Sequence, residues 1–112
     1  MPLPKFIVGV IGLVQYQDKY LLLRRSITKD INPGTWECVA GKVEYGENPH
    51  DTLIREVKEE AGLSLVGQGT LIDSLQCKRG DEPMILLFYH CQSSNDQVSL
   101  SHEHDCCAWM TK

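Results

Sequence analysis

The stretch GKVEYGENPHDTLIREVKEEAGL, residues 41–63, constrains this chain more than any other. A helix is well specified inside it. Asn48 stands where an N-cap belongs, Pro49 opens the first turn, and Asp51 follows near the positive end of the peptide dipoles. Leu53, Ile54, Val57 and Ala61 share a face that can pack on a core, and Gly62 supplies a stop. Near the end of the helix stand Glu56, Glu59 and Glu60. At 3.6 residues per turn they fall within roughly a 100° arc, so three carboxylates point one way. Helix physics disfavours this. Glu56 and Glu60 are like charges at i,i+4, which costs about 0.2–0.5 kcal/mol. Acidic groups in the last turn also meet the negative end of the dipole. Composition alone would make this an amphipathic helix with a solvated charged face. A local rule broken so plainly points instead to function, and a hard divalent cation, Mg2+ or Mn2+, is the compensation that clustered carboxylates suit.

The flanking residues favour the second reading. Gly41 is followed after five residues by Glu47, then after seven by Arg55-Glu56-Val57, Glu59-Glu60 and Gly62-Leu63. This pattern resembles the Nudix box of the Nudix hydrolases at every defining position. The resemblance implies an α/β/α sandwich built on a mixed β-sheet. It also implies roles: Glu56, Glu59 and Glu60 as metal ligands joined by the Gly41 carbonyl, and Glu47 paired with Arg55 to brace the loop against the helix. In MutT-type members the second arginine of a similar strand end contacts substrate phosphate, which points to Arg25 rather than Arg24. A glutamate six residues before a tryptophan lies near the metals in those enzymes, and Glu103 and Trp109 have that spacing. Glu103 is thereby a candidate metal ligand or a group that helps activate water. One departure stands before the box, where Val39-Ala40 replaces the common Pro-Gly pair.

A chain of 112 residues should form one domain, residues 1–112, with enough apolar sequence for one core. Its formal net charge of −4 leaves no electrostatic footprint for a nucleic-acid polymer. A nucleotide-type small molecule would therefore need local positive charge or bound metal. Lys42, a flexible point charge beside the box glycine, is a candidate for meeting a phosphate; an exposed loop lysine is the plainer alternative. No apolar run is long enough to cross a membrane, and the N-terminus lacks the design of a signal peptide. The cysteines (Cys38, Cys77, Cys91, Cys106 and Cys107) form no CxxC, which suits reduced thiols in the cytoplasm.

Outside the box the chain reads as strands. Phe6–Gln17 and Tyr20–Arg25, separated by Asp18-Lys19, suggest a hairpin, and their two-sided apolar character argues for a sheet covered on both faces. Alternation sends Arg24 and Arg25 to opposite faces. Ser26–Thr35 is a loop with a turn at Asn32-Pro33-Gly34, and Trp36–Ala40 is a short strand. Trp36 is expected in the core. Strand-like segments follow around LSLVG and TLIDSLQC, then a polar break at KRGDEP, then a buried strand, MILLFYHC, with His90 as a polar residue near its end. His102, His104, Cys106 and Cys107 fit no standard zinc spacing. The sequence ends three residues after Trp109. Family domains continue into another helix, so the second helical layer is expected to be reduced or missing. A homodimer whose second copy covers the exposed face is one arrangement consistent with that.

The resemblance implies Mg2+-dependent hydrolysis of a nucleoside diphosphate linked to another group, with Glu59 or Glu103 taking the proton from the attacking water. The leading expectation is a MutT-like nucleoside triphosphate pyrophosphohydrolase. An ADP-ribose or dinucleoside polyphosphate hydrolase uses the same box. A catalytically silent module that binds a nucleotide or a protein is the reading of another class.

Overall fold

The computed structural model describes residues 3, 5–27 and 32–111. The centre of the expected loop, residues 28–31, lies outside them. Strand β1, Ile7–Tyr16, turns through Gln17-Asp18 into β2, Lys19–Arg25. The two pair only at Gln15↔Tyr20 and Tyr16↔Lys19. Beyond that they splay, and the segment before the box fills the gap. Its first part, β3 (Trp36–Glu37), pairs with β2, while its second, β4 (Val39–Lys42), pairs with β1 from Gly9↔Lys42 to Gly12↔Val39. The expected hairpin thus exists at its turn, and the single short strand divides at Cys38 to serve two neighbours.

Helix α1, Pro49–Ala61, follows the box loop. The chain then forms β5, Leu65–Arg79, and β6, Glu82–Ser93, joined by a turn at Gly80-Asp81. The two strand-like segments after the helix merge into one long β5, irregular between Val66 and Thr70 and between Leu71 and Asp73. β6 lies parallel to β1 from Ile7↔Met84 to Gln15↔Gln92, whereas every other pairing is antiparallel. The final element, β7 (His104–Thr111), runs antiparallel to all of β2. Nothing in the local pattern of SLSHEHDCCAWMTK announces this strand, whose polar beginning masks it. The result is a seven-stranded mixed sheet with, among the described residues, one helix.

The helix is specified as its sequence suggests, with two differences. Pro49 opens it and Gly62 ends it in the left-handed conformation (φ 68°), its N–H bonded to the Lys58 carbonyl. Asn48 occupies the N-cap position, but its side chain makes no capping bond; its carbonyl instead accepts from Thr52 N–H. Leu53, Val57 and Ala61 are buried against Val10 and Val14 of β1, Leu21 and Leu23 of β2, Val39, Leu63, Tyr89 and Cys91. Ile54 is 43% exposed and does not join them. It lies at the edge of the apolar arc, about 100° round from Leu53 and towards solvent.

The other face of the sheet carries no helix among the described residues. Leu22, Trp36, Ala108 and Met110 line an apolar hollow there. Trp36, expected in the core, is 46% exposed. The splayed register explains the difference: Trp36 opposes Arg24 on β2, whose side chain points away from the helix, and the Arg24 guanidinium lies 5.9 Å from the ring centre. Arg24 also pairs with Asp105 at 2.7 Å. The β7 residues Cys107 and Trp109, opposite Leu23 and Leu21, pack against the core instead. His90 Nε2 lies 2.6 Å from Gln15 Oε1 on the neighbouring strand, the polar role expected of it. No helix is long and apolar enough to cross a membrane among the described residues.

Candidate active site

The helix and the ends of β2, β4 and β7 meet around a cleft of about 360 Å³. Arg25, Gly41, Lys42, Glu56, Glu60 and Glu103 all line it, together with Glu37 of β3 and Arg79 of β5. Its apolar wall comes from Gly9, Val10 and Ile11 of β1 and from Met84 and Leu86 of β6. The parallel pairing sets Gly9 opposite Leu86, which carries this wall across the strands.

Each charged group reaches the cleft by a definable route. Gly41 lies on β4 directly beneath the helix, where any side chain would collide with the Glu56 carboxyl. The glycine leaves the space over β4 that the Glu56 side chain occupies. Arg25 sits at the end of β2, its backbone N–H bonded to the Thr35 carbonyl. Glu103 lies in the turn just before β7. Its carbonyl accepts from Ser26 N–H at 2.9 Å, which fastens that turn beside Arg25.

Glu60 is the most unusual residue of the site. It is only 4% exposed, and its Oε1 atom is buried without a hydrogen-bond partner. Burial pushes its carboxyl well above the usual range, and the neighbouring Glu56 carboxyl, then Glu103, push it the same way. The Ala40 backbone N–H acts in the opposite sense. A buried carboxylate without compensation is expensive unless it meets a proton or a cation.

Glu47 shows the contrasting case. Arg55 Nε and Nη2 donate to its two oxygens at 2.8 and 3.1 Å, a forked pair. The Thr52 hydroxyl donates to Oε1 at 2.6 Å, and the Glu44 N–H does so at 3.2 Å. The Arg55 bonds, then that of Thr52, pull the Glu47 carboxyl down to about 2. Arg55 reaches further than a simple brace. Its Nη1 donates to Glu56 Oε1 at 2.6 Å and to Glu59 Oε2 at 3.3 Å, while Nη2 donates to the Lys42 carbonyl at 3.3 Å.

Glu59 stands apart from the main cleft. Its side chain is 59% exposed, and it borders a smaller hollow of about 230 Å³ shared with Glu56, Glu60, Ser101, His102 and Glu103. Among the described residues no three His, Cys, Asp or Glu groups converge as a ready-made cation cage. The donor chemistry nevertheless fits a hard divalent cation, because the orphaned Glu60 oxygen, Glu56 and Glu103 present only carboxylate oxygens to shared space.

Three participants were not evident from sequence. Thr52 is fully buried beneath Glu47. Glu37 faces Arg25 across the cleft, and Arg79 enters it from the far hairpin. The spacing of Glu37 before Gly41 offered a signal only if the strand was known to line a cleft. Arg79 had none, since a polar hairpin looks solvated wherever it points.

Comparison with known proteins agrees with this arrangement. A family model described as NUDIX domain matches residues 4–112. The nucleoside triphosphatase NudI of Escherichia fergusonii is 32% identical over 111 residues, spanning 90% of this chain and 79% of that protein. Among solved structures, the MutT protein of Methanosarcina mazei Go1 aligns with a TM-score of 0.80 at 29% identity, covering 96% of this chain and 78% of that one. The ORF135 protein of E. coli aligns at 0.74 with 30% identity, over 99% and 79%.

Proposed function

This chain belongs to the NUDIX domain family, and from that membership we propose that it is a nucleoside triphosphate pyrophosphohydrolase. It converts a nucleoside triphosphate and water into a nucleoside monophosphate and pyrophosphate. One observation carries the reading: the buried Glu60, with an unpartnered oxygen, shares a cleft with Glu56 and Glu103, and Arg25 and Lys42 line the same space. Acidic groups that need a cation and basic groups that suit phosphate meet in one cavity. The name of the E. fergusonii relative supports a triphosphate as substrate.

Enzymes of this family use a divalent metal, and we take it to be Mg2+, with Mn2+ able to replace it. Glu56, Glu60, Glu103 and the Gly41 carbonyl would hold it, with the more exposed Glu59 at the margin. Bound there, it would neutralise phosphate charge and make water a stronger nucleophile. The remaining tasks fall to the chain itself. Arg25 and Lys42 orient phosphate oxygens. Glu103, in the main cleft, is better placed than the peripheral Glu59 to accept a proton from attacking water. Glu47 and Arg55 hold the loop and helix in register.

We read residues 1–112 as one domain that acts in the cytoplasm on small nucleotides rather than on nucleic-acid polymers. The exposed Trp36 and Met110 support a homodimer joined through the outer face of the sheet. A solution mass equal to one chain would remove that part.

The deciding experiment is a panel of nucleoside triphosphates, ADP-ribose and dinucleoside polyphosphates with Mg2+, with the products identified. Release of pyrophosphate from triphosphates is expected. Turnover of ADP-ribose or a dinucleoside polyphosphate alone would move the substrate class. Nucleotide binding without turnover on any member would make the domain a silent binding module.

A further inference from the structure

Glu37 is out of place in a cleft meant for phosphate. It adds negative charge where the substrate is already anionic, so its presence there calls for a reason. Three adjacent strands supply one. β2 carries Arg25, β3 flanks it on one side, and β7 flanks it on the other. Glu37 opposes Leu23, so its side chain leaves the sheet on the same face as Arg25, two residues further along. His104 opposes Arg25 itself, across an irregularity in the β2–β7 ladder. The Glu37 carboxylate is shared between them: Oε1 lies 3.5 Å from Arg25 Nη1, and Oε2 lies 3.0 Å from His104 Nε2.

The two partners of Glu37 differ in burial. The His104 side chain is 1% exposed and fixed at the start of β7. With its proton on Nε2 the ring donates to Glu37, which leaves the unpartnered Nδ1 with a bare lone pair. Arg25 is less enclosed and borders the cleft. A partly exposed ion pair alone would hold a long side chain weakly, because ordering it costs rotamer entropy. A carboxylate anchored from behind by a buried ring does so better, since one of its oxygens is already fixed.

We infer that Glu37 and His104 are positioning residues: the buried imidazole orients the carboxylate, and the carboxylate sets the Arg25 guanidinium for phosphate. The inference rests on the reading of Arg25 as a phosphate-binding group. The same anchor keeps the Glu37 carboxylate turned towards Arg25.

The test is calorimetric binding of a non-hydrolysable nucleoside triphosphate with Mg2+, alongside steady-state kinetics and thermal melting. Glu37→Gln and His104→Leu should each weaken binding and raise KM by about tenfold, with kcat much less affected. His104→Gln, which restores an N–H near the position of Nε2, should recover most of the loss. In an Arg25→Ala background, Glu37→Gln should cost little more, because the group it positions is gone. A change in melting temperature with unchanged binding would make Glu37 and His104 a mere staple between β3 and β7, and would overturn the inference. Effects that add fully to that of Arg25→Ala would do the same. Should His104→Leu fail to fold, Glu37→Gln carries the test alone. Binding without turnover by the wild type would remove the hydrolytic reading and leave the positioning scheme measurable. Absence of binding by the wild type would remove both.

Discussion

Glu47 and Glu60 are the same kind of side chain at opposite ends of one short helix, and their surroundings treat them oppositely. Around Glu47 both carboxylate oxygens find donors: Oε1 accepts from Arg55, Thr52 and the Glu44 N–H, and Oε2 accepts from Arg55. Its charge is stabilised and its carboxyl drops to about 2. Around Glu60 the fold supplies burial, two more carboxylates and one unpartnered oxygen. Its charge is penalised. A satisfied carboxylate belongs to the frame, and an unsatisfied one to the chemistry. Arg55 lies between them, because the same guanidinium that satisfies Glu47 also reaches Glu56.

The largest effect expected from this contrast is at Glu60. Glu60→Gln should lower turnover by about 10²–10⁴-fold. The same variant should melt at a higher temperature than wild type without divalent cation at neutral pH, because a carboxyl whose ionisation burial penalises is removed. It should also lose most of the stabilisation that Mg2+ gives the wild type. Melting curves with and without the cation, read beside activity, check all three. Wild-type activity in Glu60→Gln would dissolve the distinction between the two carboxylates.

A smaller loss is expected at the joint. Arg55→Ala frees Glu47, Glu56 and Glu59 at once. Activity or cation affinity should fall by about 10–100-fold, the usual scale for a group that orients ligands, and the melting temperature should fall with it. Arg55→Lys should rescue poorly, since an ammonium cannot make the forked pair. Full rescue by lysine would mean that charge alone, without the fork, holds the loop. Thr52→Val is gentler still. It keeps the volume, removes the donor to Glu47, and should cost about 1 kcal/mol of stability, read by chemical denaturation.

The helix was legible because a 3.6-residue period and its start and stop residues both survive in the sequence. Gly41, Glu47, Arg55 and the three glutamates could be singled out as site candidates, through their resemblance to the Nudix box, before any fold was known. What stayed hidden depends on register. Trp36 faces outwards because β1 and β2 splay, so the residue meets the unpaired side of Arg24. β7 escaped notice because its first residues are polar, and its pairing with β2 joins residues far apart in the chain, from Arg25↔His104 to Lys19↔Thr111. That same long-range pairing brings His104 to Arg25, and no local pattern reports it. Glu59 was given equal standing with Glu56 and Glu60 by helical geometry, yet the fold buries Glu60 and leaves Glu59 largely in solvent.

The smallest prediction turns the comparison into two opposite pH slopes. The folded-state value of Glu47, about 2, lies below its ordinary 4.5. Its contribution to stability is therefore complete above pH 4.5 and is lost as pH falls from 4.5 towards 2. Glu60 is raised instead. Its relative contribution is greatest below pH 4.5 and is lost as pH rises from there towards the folded-state value. Without divalent cation, Glu47→Gln should flatten the acid side of the stability profile, whereas Glu60→Gln should gain over wild type only as pH climbs above 4.5. Denaturant midpoints across pH 3–8 would read both slopes, and slopes of the same sign would mean that one of the two environments has been assigned wrongly. Adding Mg2+ should reduce the Glu60 slope and leave the Glu47 slope in place, because a cation held by Glu60 supplies the countercharge that Arg55 already gives Glu47.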